Sequence, residues 1–304
     1  MSLHTKRQKS PHHAYLFAGL DFLIDVSNRL VFIEANSFPG VVFLDRVYGR
    51  VQPLEELVSV IDDQITVIVM ERTFIEREDL RFFYNTLYNL TGGTCRLVLL
   101  KNGWSKNIPE ALIDQDGKKL QKGTIITPLN LLKRRLSGDD RFAIINPFGV
   151  SDLTRDKWKT MQAVQSIEGM KTPQTHIFQT KEQLIQLAES MPFDELVIKP
   201  RFGQQGRDIF MIEKEKLNTL SIRDGDWLVQ ERIIVRKYNN QYWDVRTFVV
   251  NGIFSCAYKG ISNNPVVNFG LEGTAAIVEG KLAARLAPVS EACVNAIERD
   301  SMKM

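Results

Sequence analysis

Residues 21–40, DFLIDVSNRLVFIEANSFPG, predict two strands. The first is an apolar run that contains Asp21, and the second ends with the carboxylate of Glu34 and the amide of Asn36. Glu34 and Asn36 are two positions apart, so on a strand both side chains leave the same face. Asp21 lies in the preceding apolar run, and Asn28 is expected to turn the chain between the two strands. The stretch therefore predicts a hairpin that gathers three oxygen-bearing side chains.

Three oxygen ligands on adjacent strands suit Mg²⁺, which keeps several waters and is normally completed by substrate phosphates. An isolated Glu-x-Asn pair is more often an ordinary hairpin with solvated carboxylates, so the metal hypothesis depends on its context. That context comes from residues 157–270.

The composition is that of an ordinary globular protein. With 304 residues, 44% of them hydrophobic and 25% charged, the chain is long enough for two domains or one extended domain. The net charge of +3 is too small to indicate a nucleic-acid partner. No run is long enough for a membrane span, and the first residues lack an apolar signal core. Cys95, Cys256 and Cys293 match no zinc or disulfide pattern, so a cytoplasmic location is expected.

Residues 41–150 predict a parallel α/β unit. A helix is expected to begin at Pro53, and TVIVMER, REDLRFFYNTLYNL and CRLVLLKNG predict strand, helix and strand in that order. A hairpin is expected over 110–123. The helix over TPLNLLKRRLSG carries the basic run Lys133 to Arg135, which is typical of a solvated face, with a site for an anionic substrate left open.

The next segment predicts one helix over 151–169, a second helix over KEQLIQLAESM, and then strand, glycine loop and strand over DELVIKPRFGQQGRDIFMIEKEKL. Lys199 ends the first strand, and Gly203 and Gly206 bracket the loop. Such a loop can present N–H groups to phosphate oxygens while a lysine neutralises their charge. A structural hairpin with glycines has the same pattern, and the P-loop signature is absent.

Two further strands follow WLVQERII, and they are expected to turn at Asn251-Gly252. Asp244 and Arg246 share one face of the first of them. A charged pair among apolar strand residues needs a partner, which is either each other or a ligand. For Asp244 a structural ion pair and a functional role are equally supported, whereas for Arg246 a functional role is favoured.

Several of these segments resemble one family. DKWKTMQ, TPQT, VIKPRFGQQGRDI, WLVQERI, WDVRTFVVNG and NFGLEG resemble, in order, the nucleotide-binding half of the ATP-grasp family. GLDFLID and LVFIEANSFPG resemble the metal-binding end of that domain, which in ordinary ATP-grasp ligases comes last. The resemblance implies a circularly permuted ATP-grasp domain of the α/β (α+β) class. Permutation is physically reasonable because chain ends often lie close together at the surface.

The resemblance also implies a division of the chain. Residues 1–40 would be the permuted metal-binding strands, 41–150 a preceding α/β domain, and 151–304 the nucleotide-binding domain. The segment PVSEACVNAIERD has helical periodicity and would lead directly into the LDFLID strand of an unpermuted relative. Permuted relatives include eukaryotic-type glutathione synthetase and the glutathionylspermidine-synthase-like group, and the motifs favour neither.

Carried over position by position, the resemblance assigns roles to sixteen residues. Mg²⁺ would be held by Asp21, Glu34 and Asn36. The ATP phosphates would be contacted by Lys157, Lys199, the loop Gly203, Gln204, Gln205 and Gly206, and Asn268. Adenine would be held by Gln230, Glu231, Arg232 and Ile233. The transferred phosphate or the acyl substrate would be faced by Arg246 and Lys259.

Two departures from the family pattern bear on substrate recognition. Many relatives have arginine where this chain has Lys259, which is a point charge rather than a fork suited to bidentate recognition. The segment SNNPVVNFGLEG also lacks the paired glycines often found at that turn.

The implied activity is ATP-dependent ligation of a carboxylate to an amine, or less often a thiol, through an acyl phosphate. The expected cofactors are ATP and Mg²⁺, and the expected partners are small molecules rather than nucleic acid or membrane. A homodimer is one oligomeric state left open. The alternatives are a degenerate ATP-binding sensor or scaffold, which would not need both lysines and all three metal-ligand candidates, and a phosphotransferase on the same fold.

Overall fold

The computed structural model of the chain describes residues 14–61, 66–101, 104, 111–203, 208–265 and 274–303. The strands in these ranges are β1 Phe17–Ile24, β2 Leu30–Asn36, β3 Thr66–Glu71, β4 Arg96–Leu100, β5 Gly123–Ile126, β6 Phe142–Ile144, β7 Met170–Lys171, β8 Thr175–Phe178, β9 Glu195–Pro200, β10 Phe210–Glu213, β11 Trp227–Glu231, β12 Tyr242–Val250, β13 Ile253–Ser262 and β14 Thr274–Ile277. The helices are α1 Val42–Tyr48, α2 Gln52–Val60, α3 Glu78–Leu90, α4 Asn130–Leu136, α5 Phe148–Arg155, α6 Lys157–Val164, α7 Lys181–Ser190 and α8 Gly280–Ser301.

The predicted N-terminal hairpin lies in the middle of the largest sheet, whose strand order is β14-β13-β12-β1-β2-β7. β1 pairs antiparallel with β2 on one side and with β12 on the other. The first strands of the chain are therefore hydrogen-bonded to strands that follow residue 240. Such long-range pairing is enforced by apolar side chains on both faces of β1.

Local sequence explains why the hairpin ends where it does. Asn28 turns the chain with φ 62°, in the left-handed region that asparagine tolerates. A Cβ at Gly19 would lie 2.5 Å from the Cβ of Pro39, so glycine lets the chain beyond β2 pack closely against β1. This contact fixes the segment that follows Asn36.

The two faces of the large sheet bury different groups of apolar residues. One core cluster combines Leu20 and Val245 of the sheet with Cys293 and Ile297 of α8. The other combines Phe17, Phe248 and Tyr258 of the sheet with residues of α1, α2 and α3. The sheet is thus a shared middle layer, consistent with strands that are apolar on both faces.

A second sheet, ordered β10-β9-β11-β8, is antiparallel and is covered on one face by α7. β9 and β10 are the two strands expected on either side of the glycine loop. A third sheet, ordered β4-β3-β5-β6, is fully parallel, which confirms the predicted α/β unit. The expected hairpin lies between β4 and β5 and closes through an antiparallel bridge between Ile113 and Lys119.

The prediction of a single helix over 151–169 is wrong, because two helices, α5 and α6, are separated at Asp156. The Asp156 backbone is extended, with φ −88° and ψ 95°, and its side chain accepts hydrogen bonds from the amides of Trp158 and Lys159. Aspartate thereby caps a new helix instead of continuing the old one. The break makes Lys157 the first residue of α6.

The prediction that Lys133 to Arg135 form a solvated face is wrong for Lys133, which is 1% exposed. Its ammonium donates to the carbonyl of Asn146 at 2.7 Å and to the hydroxyl of Ser151 at 2.6 Å. Burial lowers the pKa of Lys133 to about 7. Arg134 and Arg135 are exposed, as the basic run predicts.

No helix among the described residues is both long enough and apolar enough to cross a membrane.

Candidate functional site

Three neighbouring strands bring charged side chains to one face of the large sheet. Asp21 of β1 lies opposite Arg246 of β12 and opposite Glu34 of β2. Paired residues in antiparallel strands point to the same side, so the three groups form one cluster. The Asn36 amide donates to Asp21 Oδ2 at 3.4 Å, which adds the fourth predicted residue. The structure therefore brings Asp21, Glu34, Asn36 and Arg246 together.

Asp21 and Arg246 form a bidentate ion pair. Arg246 Nε and Nη2 each lie 2.6 Å from an oxygen of the Asp21 carboxylate. Burial and the neighbouring Glu34 raise the pKa of Asp21, and the positive charge of Arg246 opposes that rise. Burial would lower the pKa of Arg246, but the Asp21 carboxylate raises it well above its usual value. The guanidinium is thus a permanent cation at the centre of the cluster.

Two lysines reach the same cluster from other elements. Lys157 Nζ lies 3.7 Å from Glu34 Oε2 and donates to the carbonyl of Gly203. Lys199 is 4% exposed, and its pKa is lowered to about 8 by burial and by the charge of Lys157. Burial would raise the pKa of Glu34, but Lys157, Arg246 and Lys199 hold it below its usual value. Glu34 therefore carries a negative charge beside three cations.

Asp244 belongs to the same face, and the family resemblance assigns it no role. It is two positions from Arg246, and its cross-strand neighbour is Gly260, which contributes no side chain. Within the described part of the chain, its buried Oδ1 has no hydrogen-bond partner. Burial and the nearby charge of Asp21 raise the pKa of Asp244 well above its usual value. A buried carboxylate oxygen without a donor is an available ligand for a cation or a hydroxyl.

The donor chemistry of the cluster fits Mg²⁺. Asp21, Glu34 and Asn36 offer hard oxygens, and the orphaned oxygen of Asp244 lies in the same region. Across the described ranges no group of three or more His, Cys, Asp or Glu side chains is arranged to hold a metal ion. Mg²⁺ is commonly bound by one or two carboxylates and completed by phosphates and water, so this donor set suffices only with a phosphate ligand.

The residues expected to hold adenine lie at the end of β11. Gln230 is 3% exposed and donates to the hydroxyl of Thr175 at 2.7 Å. Glu231 pairs with Lys171 at 2.9 Å, and Arg232 pairs with Glu195 at 2.6 Å. Ile233 follows in the segment after the strand. These contacts fix the segment and direct the three polar side chains to protein partners.

A cavity of about 340 Å³ opens beside this segment. Its lining is mostly polar and comes from α6, the β7–β8 connection and β11, namely Met161, Gln162, Gln165, Thr172, Pro173, Gln174, Thr175 and Glu231. Of the predicted site residues that the structure describes, Glu231 alone lies in that lining.

Lys259 does not join the cluster. It pairs with Val245 of β12, whereas Arg246 pairs with Tyr258, so the two cations leave opposite faces of the sheet. The Lys259 ammonium lies 4.8 Å from the ring centre of Tyr238 and 5.6 Å from that of Trp243. The structure therefore does not bring Arg246 and Lys259 together, because strand register puts them on opposite faces.

The residue of β13 that lies on the same face as Arg246 is Tyr258, which is 1% exposed. Burial raises the pKa of Tyr258 to about 12, so its hydroxyl keeps its proton. No motif singles out a tyrosine in an apolar strand, and only the pairing with Arg246 reveals it. Gln204, Gln205, Gly206 and Asn268 lie outside the described residues, and their expected roles stay predictions.

Comparison with known proteins gives one family model. Residues 154–278 match the RimK-like ATP-grasp domain. A tetrahydromethanopterin:alpha-L-glutamate ligase from Methanococcus maripaludis is 27% identical over 137 residues, which cover 43% of this chain and 45% of that protein. The match therefore spans less than half the length of that relative.

Solved structures show the same fold at low sequence identity. A candidate gamma-glutamylcysteine synthetase from Methylobacillus flagellatus KT superposes with a TM-score of 0.65 and 11% identity, covering 96% of this chain and 90% of that one. The VanG D-Ala:D-Ser ligase from Enterococcus faecalis superposes with a TM-score of 0.55 and 13% identity, covering 77% and 82%. Similarity at these identities concerns the fold alone.

Proposed function

Because this chain has the ATP-grasp fold, we propose that it is an ATP-dependent ligase that joins a carboxylic acid to an amine, or less often to a thiol. The observation that carries the proposal is the convergence of Lys157, Lys199, Arg246 and the oxygens of Asp21, Glu34 and Asn36 from separate elements. Three cations beside oxygen ligands form a site for a polyphosphate with its magnesium ion.

The chemistry would proceed in two steps. A carboxylate oxygen of the acid attacks the γ-phosphorus of ATP, the bond to the β-phosphate oxygen breaks, and ADP leaves. The amine nitrogen then attacks the carbonyl carbon of the acyl phosphate, inorganic phosphate leaves, and the nitrogen loses a proton. Both steps need positioning and charge stabilisation rather than a protein nucleophile.

The described side chains would divide these tasks. Lys157 and Lys199 would spread the charge of the phosphates, and Arg246 would face the group being transferred. Asp21, Glu34 and Asn36 would hold Mg²⁺, which supplies charge neutralisation of the phosphates when bound. Backbone groups of residues 230–233 would hold adenine. Lys259 has no part in this assignment because it leaves the other face of the sheet.

The order of segments favours circular permutation. β1 and β2 carry the proposed metal ligands, yet they pair with β12, which follows the proposed phosphate and adenine residues in the chain. We propose that residues 1–40 and 151–304 form one ATP-grasp domain. Residues 41–150 would form the α/β domain that precedes the ATP-grasp domain in unpermuted relatives. The contact of α1 and α2 with the large sheet supports a role for that domain in substrate choice.

The first test is the melting temperature with Mg²⁺ plus ATP or a non-hydrolysable analogue, because a ligand that binds only the folded state raises it. A magnesium-dependent rise in the wild type that is lost in Lys199→Ala is the expected result. Screening acid and amine pairs for continuous ADP formation would then identify the reaction, since the acid alone can give only one ADP per active site and repeated turnover needs both substrates. No rise at saturating nucleotide would contradict the ATP site and with it the proposed function.

A further inference from the structure

Asp156 and Arg201 form the second bidentate ion pair near the cluster. Arg201 Nε lies 2.9 Å from Asp156 Oδ1, and Arg201 Nη2 lies 2.6 Å from Asp156 Oδ2. The Asp156 side chain is 4% exposed and that of Arg201 19% exposed, so the pair is largely shielded from water. Asp156 lies in DKWKTMQ and Arg201 in VIKPRFGQQGRDI, two segments that resemble nucleotide-binding motifs, but the resemblance assigns neither residue a role.

The pair joins the two segments that carry the phosphate-site lysines. Asp156 directly precedes Lys157, and Arg201 follows Lys199 by two residues. The Lys157 amide also donates to the carbonyl of Arg201 at 3.3 Å, and the Arg201 amide donates to the carbonyl of Asp226 at 3.0 Å. Side chain and backbone of Arg201 therefore tie α6 to the end of β9 and to the start of β11.

Such a tie opposes the repulsion between the two lysines, which the neighbouring carboxylate of Glu34 also reduces. Their ammonium groups are close enough that Lys157 lowers the pKa of Lys199. Lys157 is also the first residue of α6, where the helix dipole is unfavourable for a cation. Two like charges in a largely buried site stay together only when the surrounding structure holds them there.

We propose that the Asp156–Arg201 ion pair is a positioning device that holds the Lys157 and Lys199 ammonium groups at one site and thereby sets the affinity for the polyphosphate part of a nucleotide. Arg201 acts through the lysines and does not itself contact the phosphates. This inference rests on the proposed function, since it concerns the same nucleotide site.

The test compares two probes on four variants of the full chain. The probes are ATP with Mg²⁺, which has the phosphates, and adenosine, which lacks them. Arg201→Ala removes the pair, Arg201→Lys keeps the charge but not the fork, and Asp156→Asn removes the charge while keeping a good helix cap. Arg141→Ala is the control, because Arg141 and Asp139 make the same two contacts, at 2.8 and 2.6 Å, on the surface.

Arg201→Ala and Asp156→Asn are expected to raise the Kd for ATP at least about tenfold and to leave the Kd for adenosine within about twofold, because only the lysines move. The Kd of Arg201→Lys for ATP should lie between those of these two variants and that of the wild type. Arg141→Ala should change neither the Kd for ATP nor the Kd for adenosine. Should Arg201→Ala fail to fold, Asp156→Asn and Arg201→Lys still decide the question.

Two results would overturn the inference alone: unchanged ATP affinity in Asp156→Asn and Arg201→Lys, or equal weakening of ATP and adenosine, which indicates general loosening. A wild type that binds neither probe would instead overturn the proposed function and this inference together.

Discussion

The guanidinium of Arg246 spans both carboxylate oxygens of Asp21 at 2.6 Å, across two strands that are 225 residues apart in sequence. The same carboxylate is a proposed magnesium ligand, so an arginine and a cation would share its oxygens. The pair balances charge on a face that also carries Glu34 and Asp244. Its energetic role can be measured without knowing the substrates.

Arg246→Met is expected to lower the free energy of unfolding by about 3 to 5 kcal/mol, because it leaves the buried Asp21 carboxylate without its partner. Asp21→Asn combined with Arg246→Met should cost less than the sum of the two single changes. Urea unfolding in nucleotide-free buffer measures all three values. A cost below about 1 kcal/mol for Arg246→Met would mean that the pair behaves like an exposed one.

Glu34→Gln and Asn36→Ala are expected to raise the Mg²⁺ concentration for half-maximal ATP binding by about tenfold or more, since loss even of groups that only orient metal ligands costs about 10- to 100-fold. Calorimetric titration of ATP at a series of Mg²⁺ concentrations measures the shift. Glu189→Gln, on the exposed side of α7, is the matched control. An identical magnesium dependence in Glu34→Gln and the wild type would exclude Glu34 as a ligand.

Lys133 predicts a pH dependence of stability. Its pKa is about 7 in the folded protein against a usual value near 10.5, so the unfolded chain binds more protons between these values. Stability should therefore rise with pH across that window, by up to about 1.4 kcal/mol per pH unit from this group. Lys133→Met should flatten the rise, because methionine does not titrate.

The measurement for Lys133 is urea unfolding of wild type and Lys133→Met at pH 6, 7, 8 and 9. The difference between the two proteins isolates the lysine from other titrating groups. A constant difference over this range would show that the amine keeps its proton in the folded state. In either protonation state the amine can donate to the same two acceptors, the carbonyl of Asn146 and the hydroxyl of Ser151.

Lys259→Ala is expected to leave the Kd for ATP with Mg²⁺ within about twofold, because the side chain lies across the sheet from Arg246. It should lower stability by about 0.5 to 1 kcal/mol through the lost contacts with Tyr238 and Trp243. Calorimetry and urea unfolding give the two values. A large loss of nucleotide affinity in Lys259→Ala would show that Lys259 takes part in nucleotide binding.

Much of the fold could be predicted because its signals are local. Apolar alternation and turn residues marked β1, β2, β12 and β13, including the turns at Asn28 and at Asn251-Gly252. The break at Asp156 could not, because the sequence on both sides forms helix and only the cap distinguishes one long helix from two. Lys133 was misjudged because its acceptors, Asn146 and Ser151, come later in the chain.

The sequence by itself determined the set of chemical groups: two lysines beside glycines, an arginine in an apolar strand, and an Asp with a Glu-x-Asn pair in a hairpin. Only the tertiary structure decided which of them meet. Strand register put Arg246 on Asp21 and turned Lys259 to the other face, and a one-residue difference in register reverses every side chain of a strand. Register in this sheet is set by apolar packing on both faces, which couples residues far apart in the chain.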